Sequence, residues 1–168
     1  MRSGAVLCPL CYGLYKVHGC YRRHCRDENG DRHFGWVAQV HCSTCNKYPA
    51  LIPHFIMSHK HFKTEVIESV IAASEDAQVI EGLGGCAADV STMRRWIRQF
   101  RERGAEAVGW LLSKLLAVND HYVGSLELRN RTLLNQLARL LRGYQAPKNG
   151  GVIGRVNIIL TTQNCGFL

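Results

Sequence analysis

From residue 64 onward the apolar positions recur every three to four residues, the spacing that gathers them on one side of a helix. Val66, Ile67, Val70 and Ile71 form one such stripe and predict a helix from Thr64 to about Ser74, with Thr64 as its N-cap. Met93, Trp96, Ile97 and Phe100 form the next, over Ser91–Arg103, with Asp89 or Ser91 as N-cap and Gly104 as the stop. Between them, three glycines within Asp76–Gly85 argue against a long helix and predict a short one near 77–82, followed by a turn. Past Gly104, Ala105–Val118 is apolar enough for a buried helix, which Asn119-Asp120-His121 breaks. Leu126–Tyr144 reads as an amphipathic helix with Leu133, Leu134, Leu137, Leu140, Leu141 and Tyr144 inward. Arg155–Leu160 reads as a strand or docking segment. The first fifty residues follow a different pattern. Tyr15–Arg23 and Trp36–His41 carry β-type residues around the turn-rich Asp27–Asp31, which predicts a hairpin. The expected class is therefore α+β, in three parts: 1–53, 54–104 and 105–168.

The hairpin region also holds six of the eight cysteines. Two pairs have the form C-x2-C, Cys8/Cys11 and Cys42/Cys45, separated by residues 12–41. A two-residue gap lets both thiolates of a turn face one ion, and two such turns complete a tetrahedral shell. Gly13 and Asn46 are suited to reversing the chain after each pair. Knuckle, hairpin, knuckle is the layout of a four-cysteine zinc ribbon with one structural Zn2+. Cys20 and Cys25, with His18, His24, His33 and His41 nearby, could start a second site, but no partner knuckle stands out and they read as strand side chains. His59 and His61 likewise have no evident partner ligand. Asp27, Glu28 and Asp31 look like turn residues, not the base that a catalytic metal would need, so no catalytic residue is assigned.

Charge adds a partner to this picture. The chain has 168 residues, a formal charge of +8 and a pI near 9.3, which favours acidic partners such as nucleic acid. The predicted helix Ser91–Arg103 presents Ser91, Thr92, Arg94, Arg95, Arg98 and Arg101 away from its apolar stripe. Preceded by a core helix, a short helix and a Gly-containing turn, it fits the last helix of a helix-turn-helix that reads duplex DNA. Arg22 and Arg23 on the hairpin offer a second contact. Tyr12, Tyr15, Tyr21 and Trp36 lie among the basic residues of that region, where they can stack on an unpaired base or cover the hairpin in place of a core. No segment is long and apolar enough for a membrane span, and Met1–Pro9 is too short in apolar residues for a secretory signal. A cytoplasmic location is expected, and in a reducing compartment eight cysteines point to metal ligation ahead of disulfides.

Four segments carry a family likeness: Cys8-Pro-Leu-Cys11, His18-Gly-Cys-Tyr-Arg-Arg23, Val40-His-Cys-Ser-Thr-Cys45 and the exit Leu51-Ile-Pro53. Together they resemble the N-terminal module of bacterial insertion-sequence transposases, and especially the short zinc-ribbon proteins associated with mobile elements. In those proteins a helix-turn-helix follows the ribbon, and its last helix is similar to Ser91–Trp96. The resemblance implies an accessory or regulatory DNA-binding protein, with double-stranded DNA and a transposase or other element-encoded protein as partners. Such transposases cut DNA with a separate RNase H-like domain whose three carboxylates hold Mg2+. Asp89, Glu102, Glu106, Asp120 and Glu127 lie on or near short helices without the strands of that domain, so the chain is not expected to be an enzyme. The alternative is an adaptor whose ribbon and Leu-rich helices recruit another subunit or a second copy, although those helices read first as completing the core.

Overall fold

The computed structural model describes residues 7–8, 10–77, 86–144 and 151–161. Strand β1 (Tyr15–Arg26) pairs antiparallel with β2 (Arg32–Cys42), and the short β3 (Ala50–Leu51) adds to the far side of β2. The hairpin is longer than its β-type residues alone predict, because its turn is tied by one carboxylate. Asp27 Oδ1 accepts the Asn29 and Asp31 N–H groups at 3.1 and 3.0 Å, and Oδ2 meets His33 Nε2 at 2.5 Å. These contacts hold the Asp27 carboxyl below its ordinary range, the His33 contact most of all. Gly30 takes the left-handed position of the turn, with φ of 89°.

Alternation along the paired strands gives the hairpin two faces. One carries Arg23, Cys25, Gly35 and Val37 and packs on the loop that follows β3. Gly35 lets that loop approach: a Cβ there would lie 2.9 Å from Ile56 Cδ1. Arg23 donates to the carbonyls of Met57 and Lys60 at 2.7 and 3.2 Å, and the backbones of Arg26, His61 and Lys63 are joined by two further hydrogen bonds. The other face carries Arg22, His24, Phe34 and Trp36 into solvent.

Helix α1 (Thr64–Glu75) falls where its stripe predicts, but Lys63, not Thr64, is the N-cap. Thr64 is fully buried, and its hydroxyl is directed to the His54 carbonyl instead. Ala77, with φ of 58°, follows the end of α1; the rest of the short helix expected near 77–82 lies outside the described residues. Helix α2 (Val90–Val118) begins at Asp89, as expected, but does not stop at Gly104. Its buried stripe runs unbroken from Met93, Trp96 and Phe100 through Gly104 and Ala107 to Leu111 and Leu115. Gly104 serves close packing there, since a Cβ would lie 3.2 Å from Leu133 Cδ1. The roughly 1 kcal/mol intrinsic helix cost of a glycine is outweighed by continuity of that stripe. The expected boundary between residues 104 and 105 therefore falls in the middle of one helix.

Asn119 caps the one-turn α3 (Asp120–Gly124), and Thr132 caps α4 (Leu133–Gly143), which starts later than the predicted Leu126. The segment expected to end the chain as a strand is instead α5 (Val152–Thr161). Its Val and Ile residues favour strands locally, but Ile153, Val156 and Leu160 are spaced for one helical face and are buried in the core. Two carboxylates of α1 meet the starts of these helices: Glu75 accepts the Leu134 N–H and Glu68 accepts the Ile153 N–H. One core joins Ile67, Ile71, Trp96, Phe100, Leu111, Leu115, Leu137, Leu140, Ile153 and Met57, with the Phe62 ring edge-on to Trp96 at 5.4 Å. No helix among the described residues is long and apolar enough to cross a membrane.

Gly154 sits where α5 meets the loop after β3, and a Cβ there would lie 2.7 Å from the His54 carbonyl oxygen. Gly154→Ala is expected to cost about 1–3 kcal/mol by overpacking. Chemical denaturation would read this as a lowered midpoint with an unchanged slope, and a parental midpoint would contradict the packing described.

Candidate functional site

Cys8 with residues 10–13, and residues 42–47, form two tight turns at the open end of the hairpin. In the first, Tyr12 N–H donates to the Cys8 carbonyl and Cys8 N–H donates to the Gly13 carbonyl, each at 2.8 Å. Tyr12, not Gly13, takes the left-handed backbone there, with φ of 57°. Gly13 is needed for room: a Cβ would collide with the Thr44 side chain and lie 3.1 Å from Cys42 Sγ. In the second turn Cys42 N–H donates to the Lys47 carbonyl, and Asn46 takes the left-handed position, as its residue type predicts. Pairing of Tyr15 with Cys42 in the strands sets the turns side by side.

The result is a cluster of four sulfurs, from Cys8, Cys11, Cys42 and Cys45, all within 4.8 Å of one another. Cys8 and Cys45 lie 3.6 Å apart, and Cys11 and Cys42 3.4 Å. Metal–thiolate bonds of about 2.3 Å give a tetrahedron with edges of about 3.8 Å, so these separations fit a four-coordinate ion. Cys8 and Cys42 are fully buried. The Tyr15 hydroxyl beside Cys8 holds that thiol down at about 6, and the Cys45 backbone holds Cys42 below its ordinary value. Burial pushes the Cys45 thiol up to about 12. The donor set thus favours thiolate at two positions and relies on a cation to ionise the rest. With all four positions filled by protein, such a site holds structure and leaves no open coordination for substrate.

Cys20 and Cys25 do not join this cluster or build another among the described residues. Five positions apart, they lie on opposite faces of β1, Cys20 exposed and Cys25 buried. His24 and His61 stack at 5.9 Å, and His41 stacks on Tyr48 at 4.3 Å.

The second candidate surface is the polar side of α2. Its N-terminal hydroxyls are already engaged: Ser91 and Thr92 both hydrogen-bond the Asp89 carboxylate, which these contacts hold down at about 2. The arginines divide between two flanks. Arg94, Arg98 and Arg101 lie toward α1, where Arg101 donates to Ser74 Oγ at 3.3 Å. Arg95 and Arg103 lie one turn either side of Gln99, and Gln99 accepts a hydrogen bond from Lys60 at 2.5 Å. Burial lowers the Lys60 pKa, and the charges of Arg95 and Arg103 lower it further. Lys60 and Arg103 thus belong to a cationic group with Arg95 that the helical stripe of sequence alone only half reveals, because Lys60 arrives from the loop. On the hairpin, Arg23 spends its guanidinium on the loop carbonyls, whereas Arg22 lies over the Phe34 ring at 4.2 Å.

A family model described as a domain of unknown function, DUF6431, matches residues 8–96. No curated protein and no solved structure matches the chain. The matched span opens on Cys8, the first cysteine of the sulfur cluster, and closes on Trp96, the core residue of α2 that meets Phe62.

Loss of an outer contact to a ligand typically weakens metal affinity about 10- to 100-fold. Tyr15→Phe, which removes the hydroxyl at Cys8, is expected to fall in that range in competition titrations against a chromophoric chelator. Cys42→Ser should abolish stoichiometric metal by elemental analysis. An unchanged metal content in Cys42→Ser would remove the four-sulfur site.

Proposed function

The chain belongs to the DUF6431 family, and we propose that it is a zinc-dependent DNA-binding protein that acts as an accessory or regulatory factor, in keeping with its resemblance to proteins of mobile elements. Zinc is the ion of choice for four thiolates in a tetrahedral, redox-inert structural site. In this reading the metal fixes the open end of a zinc ribbon, and the ribbon in turn presents the loop that carries Lys60. Helices α1 and α2 supply the first and last helices of a helix-turn-helix, with α2 extended well past the usual recognition helix.

The observation that carries the reading is the Lys60–Arg95–Arg103 group. Among the described residues neither Arg95 nor Arg103 makes an ion pair with an acidic side chain, and Lys60 is partly desolvated beside them. Three cations held together without a counter-charge are costly unless an anion completes them, and a phosphate backbone supplies that charge at regular intervals. Arg94 and Arg98, on the other flank of the same helix, would extend the contact. A second reading, an adaptor or homodimer, is favoured by the far end of α2, where Leu116 is 50% and Val118 78% exposed.

Substitution of Lys60, Arg95 and Arg103 together by Ala is expected to weaken duplex binding at least about tenfold. It should also flatten the dependence of log K on log salt by about 0.9 per lost phosphate contact. Fluorescence anisotropy with a random-sequence duplex across a salt series measures both. A triple variant that keeps the parental slope and affinity while folding normally would sink the assignment.

A further inference from the structure

The solvent face of the three-stranded sheet is built from residues that the core does not use. Strand pairing places Arg22 opposite Trp36, His24 opposite Phe34, Arg26 opposite Arg32, and Ala38 beside both Cys20 and Leu51. Paired residues share a face, so Trp36, Phe34, Arg22, His24, Arg26 and Arg32 line one side of the sheet, with Leu51 at its far edge. Trp36 is 68% exposed and Phe34 57%, although the helical core lies within the same small protein. The two rings stand two residues apart on β2, about 7 Å along the strand. The Arg22 guanidinium lies over the Phe34 ring at 4.2 Å. Arg26 and Arg32 face each other directly, a like-charge cross-strand pair that weakens a sheet by itself.

We infer that this sheet face is a binding platform for single-stranded nucleic acid, with Trp36 and Phe34 stacking on unpaired bases and Arg22, Arg26 and Arg32 tracking the backbone. Exposed rings alone would suit any apolar partner. The arginines decide between partners: they surround the rings, and the facing Arg26–Arg32 pair becomes favourable once a polyanion lies across it. A duplex does not fit, because its bases are stacked inside and present no free ring face to a flat sheet. This site is separate from the α2 surface proposed for duplex DNA, and neither depends on the other. A protein that holds both duplex and unpaired strand has use for both surfaces.

The experiment uses the metal-loaded full chain and labelled oligothymidylate or oligouridylate of about twelve nucleotides, within the usual range for one small sheet domain. A duplex of equal length is the control. Each of Trp36→Ala and Phe34→Ala is expected to weaken single-strand binding about 5- to 100-fold and leave duplex binding unmoved. Trp36→Phe should retain single-strand affinity within severalfold while losing most of the tryptophan quench that accompanies binding. Comparison of the two oligonucleotides separates DNA from RNA as the natural ligand. The Lys60/Arg95/Arg103 variant should show the reverse pattern, so failure of the duplex reading leaves this one standing. Both rings are solvent-exposed, and circular dichroism of the double variant checks that the fold survives. The inference is overturned if Trp36→Ala/Phe34→Ala binds the oligonucleotides within about twofold of the parent. It is equally overturned if the parent binds none at low salt, or if it self-associates through Trp36 and so hides the face between two copies.

Discussion

A two-stranded ribbon in water cannot bury enough apolar surface to stand by itself, and residues 15–42 face that constraint from both ends. At the open end the four sulfurs of Cys8, Cys11, Cys42 and Cys45 draw the two turns together. At the closed end Asp27 ties the turn, and Arg23 fastens the strands to the loop after β3. Between these anchors the sheet has one covered face and one bare face. The bare face is open because the sulfur cluster and the loop, not a second layer, hold the hairpin in shape. That arrangement leaves aromatic rings in solvent without loss of the fold.

Helix α2 is the beam to which the remaining elements attach. Its first half receives α1 and the Phe62 ring, and its second half receives α4. Met57 carries the loop into the same core, so the sulfur site, the loop and the helices form a continuous chain of contacts. The Lys60–Gln99 hydrogen bond lies at the junction, and it is there that basic charge from the two regions meets. The strands that position this loop are themselves closed by the four-sulfur cluster.

Much of this was legible in residue order. The C-x2-C spacing identified all four cysteines of the sulfur cluster, because two residues is the gap a turn needs, and the Asp27–Asp31 turn marked the hairpin. The stripes of α1 and the first half of α2 follow directly from their 3.6-residue period. The errors have physical causes. Gly104 looks like a stop when read locally, but its missing side chain is what admits Leu133. Residues 155–160 look like a strand because Val and Ile favour one, yet the core selects their helical face. Gly13 looks like the turn's left-handed residue, but Tyr12 takes that conformation and Gly13 supplies space beside Cys42. Lys60 could not be placed against Arg95 and Arg103 from sequence, because the contact spans a loop whose path only the tertiary fold sets.

The unbroken run of α2 has a geometric consequence. At 1.5 Å per residue, Gln99 and Ala117 are held about 27 Å apart along one rod, with no hinge between them. Whatever docks at the exposed Leu116 and Val118 end is therefore kept at a set distance and angle from whatever lies against Arg95 and Arg103. The helix works as a ruler: it converts two separate contacts into one fixed spacing, and a partner that cannot match that spacing can engage only one end at a time.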